Sequence, residues 1–333
     1  MPYEIVKPGT KIDFIGKRQL CAMLSAGLII ASLIATQVNG IKLGIDFAGG
    51  TEVQLTFEPQ VDVTEGPIRE IVSEIDGIDD PSVIRYGDPV DNEFLVKFQG
   101  SVKTGDASAG VDMVTEIQRA VIADIGPLRG GKVSRVEFVG PKVGPELRRD
   151  GLSSLFYASL VVLAYIAFRF SSRFAPGAIL AVLHDLTVTA GIFVMLGLEF
   201  DLRILAAMLA ILGYSLNDTI IIYDRIRENL ELHTNHDLAE VLNLSVNQTL
   251  SRTILTSATT LLALGSLYFL GGEIIRPFAF AMVMGVLVGT YSSIFIASPT
   301  LLFLEGRFAS SKSSVRSKTT SDESLLDEMK TGA

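Results

Sequence analysis

The chain has 333 residues, 48% of them hydrophobic, with a mean hydropathy of +0.42 and a formal net charge of −9. That is too apolar for an ordinary soluble protein, and the apolar residues cluster in long runs. No basic stripe interleaved with aromatics points to nucleic acid, and the single cysteine, Cys21, excludes a disulfide framework.

In chain order, segment 1–19 places Lys11, Lys17 and Arg18 ahead of a first apolar run at 20–38. The basic start looks like that of a signal peptide. However, the run is longer than a usual signal core, and Ala35-Thr36-Gln37-Val38 offers no clear small-x-small cleavage site. An uncleaved first membrane helix is the reading. Further candidate spans lie at 154–168, 176–198, 202–223, 254–270 and 277–304. The second and fifth of the six are short and need anchors or wider boundaries. The last is long enough to tilt, or to contain a loop near Ser298-Pro299. A Ser/Lys/Thr-rich tail over 305–333 reads as disordered.

The polar insert at 39–152 is long enough for one small domain. Alternation predicts strands over 51–57, 82–86, 93–98 and 133–139, and helical spacing predicts helices over 64–76 and 111–125. The order β-α-β-β-α-β is the ferredoxin-like pattern. With no histidine or cysteine and an incomplete phosphate loop at Gly130-Gly131-Lys132, the insert reads as a binding module needing no cofactor or metal.

Basic residues in the short loops set the orientation. With the N-terminus inside, Lys17, Arg18, Arg169, Arg173, Arg225, Arg227, Arg252 and Arg307 flank the membrane on that side, against Arg203 and Arg276 on the other. Both termini are therefore expected in the cytoplasm and the 39–152 domain outside it, with residues 153–304 forming a five-helix bundle after the first span.

Polar residues inside the spans carry the functional argument. Asn217 and Asp218 interrupt the fourth span, where a carboxylate costs about 2.5–3.5 kcal/mol on insertion scales and marks a functional site by default. His184 and Asp185 lie on the third span; on the fifth, Arg252, Thr256, Thr259 and Thr260 line one stripe. Helix rise places Asp218 roughly 7–8 Å, and Asp185 roughly 13 Å, from the inner ends of their spans. Arg252 has the reach to pair with Asp218, which makes Asp218 a candidate for reversible protonation. Gly285 and Gly289 form a GxxxG spacing, extended back to Ala281, that favours close helix packing.

These residues also carry a resemblance. Gly44-Ile45-Asp46-Phe47-Ala48-Gly49-Gly50-Thr51 after the first span resembles the signature of the SecD/SecF protein-export family, with Asp46, Gly49 and Gly50 at its centre. Phe138-Val139-Gly140-Pro141, Val143-Gly144 and His184-Asp185 resemble further shared elements. Gly213-Tyr214-Ser215-Leu216-Asn217-Asp218 with Asp224-Arg225-Ile226-Arg227-Glu228-Asn229 resembles the SecF branch. The resemblance implies half of a resistance-nodulation-division-type bundle in a bacterial cytoplasmic membrane. It implies a SecD partner, association with YajC and with SecYEG and SecA, and use of the proton-motive force to help move unfolded preprotein outward. It implies proton-pathway roles for Asp218 and Arg252, joined by Asn217, Asp185 and His184, and no enzymatic activity. Three other readings stay open at this point: a half-transporter of lipids or drugs, an intramembrane aspartyl protease built on Asp185 and Asp218, and a purely structural assembly subunit.

Overall fold

The computed structural model describes residues 11–58, 63–75, 78–87, 91–100, 132–139, 143–170, 173–233, 236–272 and 274–304. The helix expected over 111–125 and the tail from 305 lie outside the described residues. In chain order the elements are α1 (Arg18–Asn39), α2 (Ile45–Ala48), β1 (Gly50–Thr56), α3 (Glu65–Ser73), β2 (Ile78–Tyr86), β3 (Glu93–Gly100) and β4 (Lys132–Val139). They continue with α4 (Val143–Arg169), α5 (Ala175–Met195), α6 (Leu202–Leu232), α7 (Leu238–Leu270) and α8 (Arg276–Ser292). The last helix runs on through a π turn, Ser293–Ala297, to Leu304.

Among the described residues six helices are long and apolar enough to cross a membrane: α1, α4, α5, α6, α7 and α8. The chain is thus a multi-pass membrane protein with the six expected spans. Three extend well beyond their apolar runs. α4 begins at Val143, inside what reads as domain, and α6 and α7 reach 31 and 33 residues because polar sequence continues each helix past the bilayer. There Asn229 Nδ2 donates to Ser245 Oγ and to Gln248 Oε1, both at 2.8 Å, tying the two extensions into an antiparallel pair. No loop opens near Ser298-Pro299. Proline removes one N–H and crowds the carbonyl a turn earlier, and the helix answers with the wide turn immediately before it.

The bundle is layered. The most apolar windows of α5, α6 and α8 are 56%, 50% and 44% buried, against 17%, 11% and 17% for α1, α4 and α7. The first three therefore form the centre and the others flank it. α6 and α8 run parallel at close range. Gly285 lies against the Ile211 side chain and Gly289 against Ser215. Further along the same seam Thr219 Oγ1 and Ser293 Oγ are 2.9 Å apart, and Tyr223 donates to the Ala297 carbonyl at 3.1 Å. The glycines remove the side chains that would hold two backbones apart.

The insert folds as a four-stranded antiparallel sheet in the order β2-β3-β1-β4, the arrangement expected of the ferredoxin-like pattern. β1 alternates strictly between half-buried and buried positions, so Val53 and Leu55 meet Phe94, Val96 and, from α3, Ile68 and Val72 in one core. Each of these fully buried side chains contributes about 1.5–3 kcal/mol.

The first turns of α7 reach back to the segment that precedes α1. Asn243 and Asn247, one turn apart, both donate to the Ile12 carbonyl at 3.0 and 2.8 Å. In return, Ile12 N–H donates to Asn247 Oδ1 and Phe14 N–H to Asn243 Oδ1, both at 2.9 Å. This clasp satisfies backbone groups that no helix or sheet serves and seats Ile15 in the bundle core.

Candidate functional site

The family-like signature after α1 is a junction of three elements. Gly44 N–H donates to the Phe200 carbonyl and Phe200 N–H to the Lys42 carbonyl, both at 2.8 Å, stitching the signature to the loop that leads into α6. Asp46 Oδ2 accepts from Leu202 N–H at 3.0 Å, and the N-cap Asp201 accepts from Ile204 N–H at 2.9 Å. Two carboxylates therefore serve the N–H groups that the first turn of α6 leaves unpaired. Gly49 and Gly50 have φ of 77° and 141°, backbone that L side chains rarely adopt. A Cβ on Gly50 would also lie 2.8 Å from the Phe98 carbonyl oxygen, and one on Gly144 2.8 Å from Gly49 N. The two glycines thus let β1, β3 and the start of α4 meet backbone to backbone. A further tie is ionic: Lys97 on β3 pairs with Glu199 in the α5–α6 turn and lies 3.5 Å from Glu52.

Asp46→Ala should cost about 1 kcal/mol, as losses of helix caps do. The loss should appear as faster amide exchange confined to the first turn of α6, with Asp46→Asn retaining protection. Uniform exchange across the bundle in both variants would refute the capping role.

Deeper in the bundle lie two buried carboxyl groups in opposite circumstances. Asp185, 1% exposed, has its carboxylate fully engaged. His184 Nδ1 is 2.9 Å from Oδ1, while Oδ2 accepts from Ser292 Oγ at 2.7 Å and from Ser215 Oγ. Three central helices, α5, α6 and α8, thereby meet on one side chain. Asp218, 0% exposed, has neither oxygen hydrogen-bonded among the described residues. The Arg252 guanidinium is near enough to act on it electrostatically, but no hydrogen bond joins them. The register of the α6–α7 pair explains why. Continuing from the Asn229–Ser245 contact, Asp218 falls level with the turn from Thr253 to Ser257, and Arg252 lies beyond it towards the Asn229 end.

The remaining candidates divide. Asn217 is exposed while Asp218 is buried, and Arg252 is exposed, as are Leu255 and Thr259 one and two turns along α7. Thr189, one turn along α5 from Asp185, is buried with its hydroxyl unpartnered among the described residues. The same holds for His184 Nε2, Tyr214 and Thr253. Sequence reasoning passed over Ser292 and Tyr291. The Tyr291 hydroxyl donates to the Cys21 carbonyl at 2.8 Å and meets Ser25 Oγ at 3.0 Å, and its ring lies 6.1 Å from that of His184. Three hydroxyl or aromatic residues in a row, at 291–293 in an apolar run, were the available signal.

Comparison with known proteins agrees with this architecture. The family model described as protein export membrane protein SecD/SecF, C-terminal, matches residues 123–307, and that of the SecD/SecF GG motif matches residues 38–61. The protein translocase subunit SecF of Calditerrivibrio nitroreducens is 43% identical over 297 residues, covering 89% of this chain and 94% of that protein. That of Pseudomonas aeruginosa is 41% identical over 300 residues, covering 90% and 93%. A crystal structure of SecDF, a translocon-associated membrane protein from Thermus thermophilus, superposes with a TM-score of 0.78 at 37% identity and covers 90% of this chain. A second, of SecDF in a super-membrane-facing form, has a TM-score of 0.67 at 36% identity. The present chain spans 39% and 41% of those two solved chains.

Proposed function

The chain belongs to the SecD/SecF protein-export family, and from that premise we propose that it is the SecF-type half of a two-part membrane machine. In this reading it uses the proton-motive force across a bacterial cytoplasmic membrane to assist late steps of preprotein translocation. Both termini face the cytoplasm and the sheet domain lies outside. SecD supplies the other half, and YajC, SecYEG and SecA are the wider assembly through which unfolded preprotein passes.

The observation that carries the reading is the contrast between the two buried carboxyl groups. Buried polar atoms are nearly always hydrogen-bonded, and an exception calls for a reason. Asp218 can gain or lose a proton without breaking a hydrogen bond to any of the described residues, whereas Asp185 is fixed by three partners. Arg252 supplies a fixed positive charge that acts on Asp218 and attracts it only when it is ionised. His184 and Asp185 then act as a positioned relay beside it rather than as the group that titrates. One charge crossing 100 mV releases about 2.3 kcal/mol, enough to shift a two-state equilibrium about 50-fold. The route for that bias to the outer domain is α6 itself, which carries Asp218 in its middle and the Asp46 cap at its end.

The outer surface supports a partner of the same kind. A polar side chain within a span is costly against lipid, yet Asn217, in the middle of α6, is exposed in the lone chain. A second half-bundle packed against it would supply cover. The protease reading finds no support in the geometry, because Asp185 has its oxygens engaged and the two aspartates share no hydrogen bond.

The test is export driven by a proton gradient in reconstituted vesicles holding the full translocase. Asp218→Asn, close in shape and unable to ionise, should remove the gradient-dependent part and leave the ATP-driven part. Full retention of gradient-dependent export by that variant would sink the proposal.

A further inference from the structure

A groove of 810 Å³ opens along the flank of the bundle between α1, α5 and the continuation of the last helix beyond Ser292. Its α1 wall is a single stripe, Arg18, Ala22, Ala26 and Ile29, faced by Leu180 and Phe295. Small residues on α1 make the groove. Three features together say what fills it. First, its length: Arg18 to Ile29 covers about 16 Å at 1.5 Å per residue, close to the roughly 15 Å hydrocarbon depth of a single leaflet. Second, its charge: Arg18 stands at one end, on a segment that also carries the exposed Lys11 and Lys17, and the walls beyond are mostly apolar, with Gln19, Ser25, His184 and Thr300 the polar residues among them. Third, a buried polar residue in its wall: His184, 2% exposed, lines the groove, and its Nε2 has no partner among the described residues.

We propose that this groove is a binding site for an anionic phospholipid of the leaflet at the α1 N-terminus, its phosphate held by Arg18 and one acyl chain lying along α1. A basic mouth over an apolar trough of monolayer length matches a lipid and matches neither a free anion, which would leave the trough empty, nor a water-soluble metabolite. Lipid surfaces with anionic headgroups attract such basic residues. Because His184 lines the groove while its Nδ1 meets Asp185, the site borders the Asp185 network without belonging to it. The inference stands apart from the export reading, since it needs only that the chain spans a bilayer.

The protein has no tryptophan, so Phe303→Trp at the groove rim creates a sole fluorescent reporter in the full chain. In nanodiscs of phosphatidylcholine, a tenth of the lipid is replaced by brominated phosphatidylglycerol or by brominated phosphatidylcholine. Quenching by the brominated phosphatidylglycerol should exceed that by the brominated phosphatidylcholine at least threefold. Arg18→Gln should bring the ratio to near one, Arg18→Lys should keep most of it, and Ala26→Phe, which fills the trough, should abolish the excess. Equal quenching by the two lipids in the parent reporter would overturn the proposal. So would an excess that survives both Arg18→Gln and Ala26→Phe. Displacement by soluble glycerophosphate would identify a phosphate site without a lipid, and would overturn it as well.

Discussion

Asp185→Ala should lower the stability of the purified chain in detergent by about 2–4 kcal/mol. The side chain receives Ser215 and Ser292 and faces His184 Nδ1, all buried. Removing it leaves three polar groups without their acceptor. In water-soluble cores each such loss costs about 1–3 kcal/mol; within membranes measured side-chain hydrogen bonds average only about 0.6. The lower scale alone would give about 2 kcal/mol for three bonds. The cavity and the joining of three helices at one atom push the figure upward. Ser292 softens the loss, because its hydroxyl already lies 3.1 Å from the Gly289 carbonyl and can turn to it. Asp185→Asn keeps the volume and one acceptor oxygen, and should lose less than half as much. Thermal unfolding followed by circular dichroism distinguishes the cases: an unchanged midpoint for Asp185→Ala would mean that the triple junction stabilises nothing.

The second large effect is expected at the α6–α8 seam. A Cβ on Gly285 would overlap the side chain of Ile211, which is only 1% exposed and has no free space to enter. Overpacking of this kind costs about 1–3 kcal/mol, and the upper end applies to a branched substituent. Gly285→Val should therefore reduce the folded yield severely, and Ile211→Ala added to it should recover most of the loss. At Gly289 the obstacle is mixed: the added Cβ would lie 3.0 Å from Ser215 Cβ and 3.2 Å from Ser215 Cα, which is backbone and stays. Gly289→Val should therefore be rescued only in small part by Ser215→Gly. A double-mutant cycle reads both statements directly: strong coupling for the first pair and weak coupling for the second. The reverse order would show that the helices meet in another register.

How much of this was legible without coordinates differs by feature, for physical reasons. The six spans were readable because lipid demands an uninterrupted apolar run. Their ends were not, because hydropathy stops at the first charges while α6 and α7 continue as a polar pair bound by Asn229, Ser245 and Gln248. The four strands and α3 followed from alternation and helical spacing, which survive because the domain buries only one face of its sheet. Asp218 was conspicuous as a cost. Its environment was not, since which side of a helix faces a neighbour depends on packing, and Asn217 and Asp218, adjacent in sequence, point opposite ways. Depth arithmetic put Arg252 within reach of Asp218 but could not see the one-turn stagger that leaves the carboxylate without a hydrogen bond among the described residues. The partners of Asp185 were hardest, because serine is common in membrane helices and only the shared seam gives Ser292 a role.

The π turn at Ser293–Ala297 has a geometric consequence for the bundle. It holds one residue more than an α turn, and each residue of an α-helix advances about 100° around the axis. Were that extra residue drawn into the regular ladder, everything from Ser298 to Leu304 would swivel by about 100° against the part that carries Gly285 and Gly289. Leu302 and Phe303 would leave the groove wall. The hydroxyl of Tyr223 on the Ala297 carbonyl is the pin that holds the thread in its present setting. The last helix is thus two shafts on one screw joint, locked by a side chain of the same helix that carries Asp218.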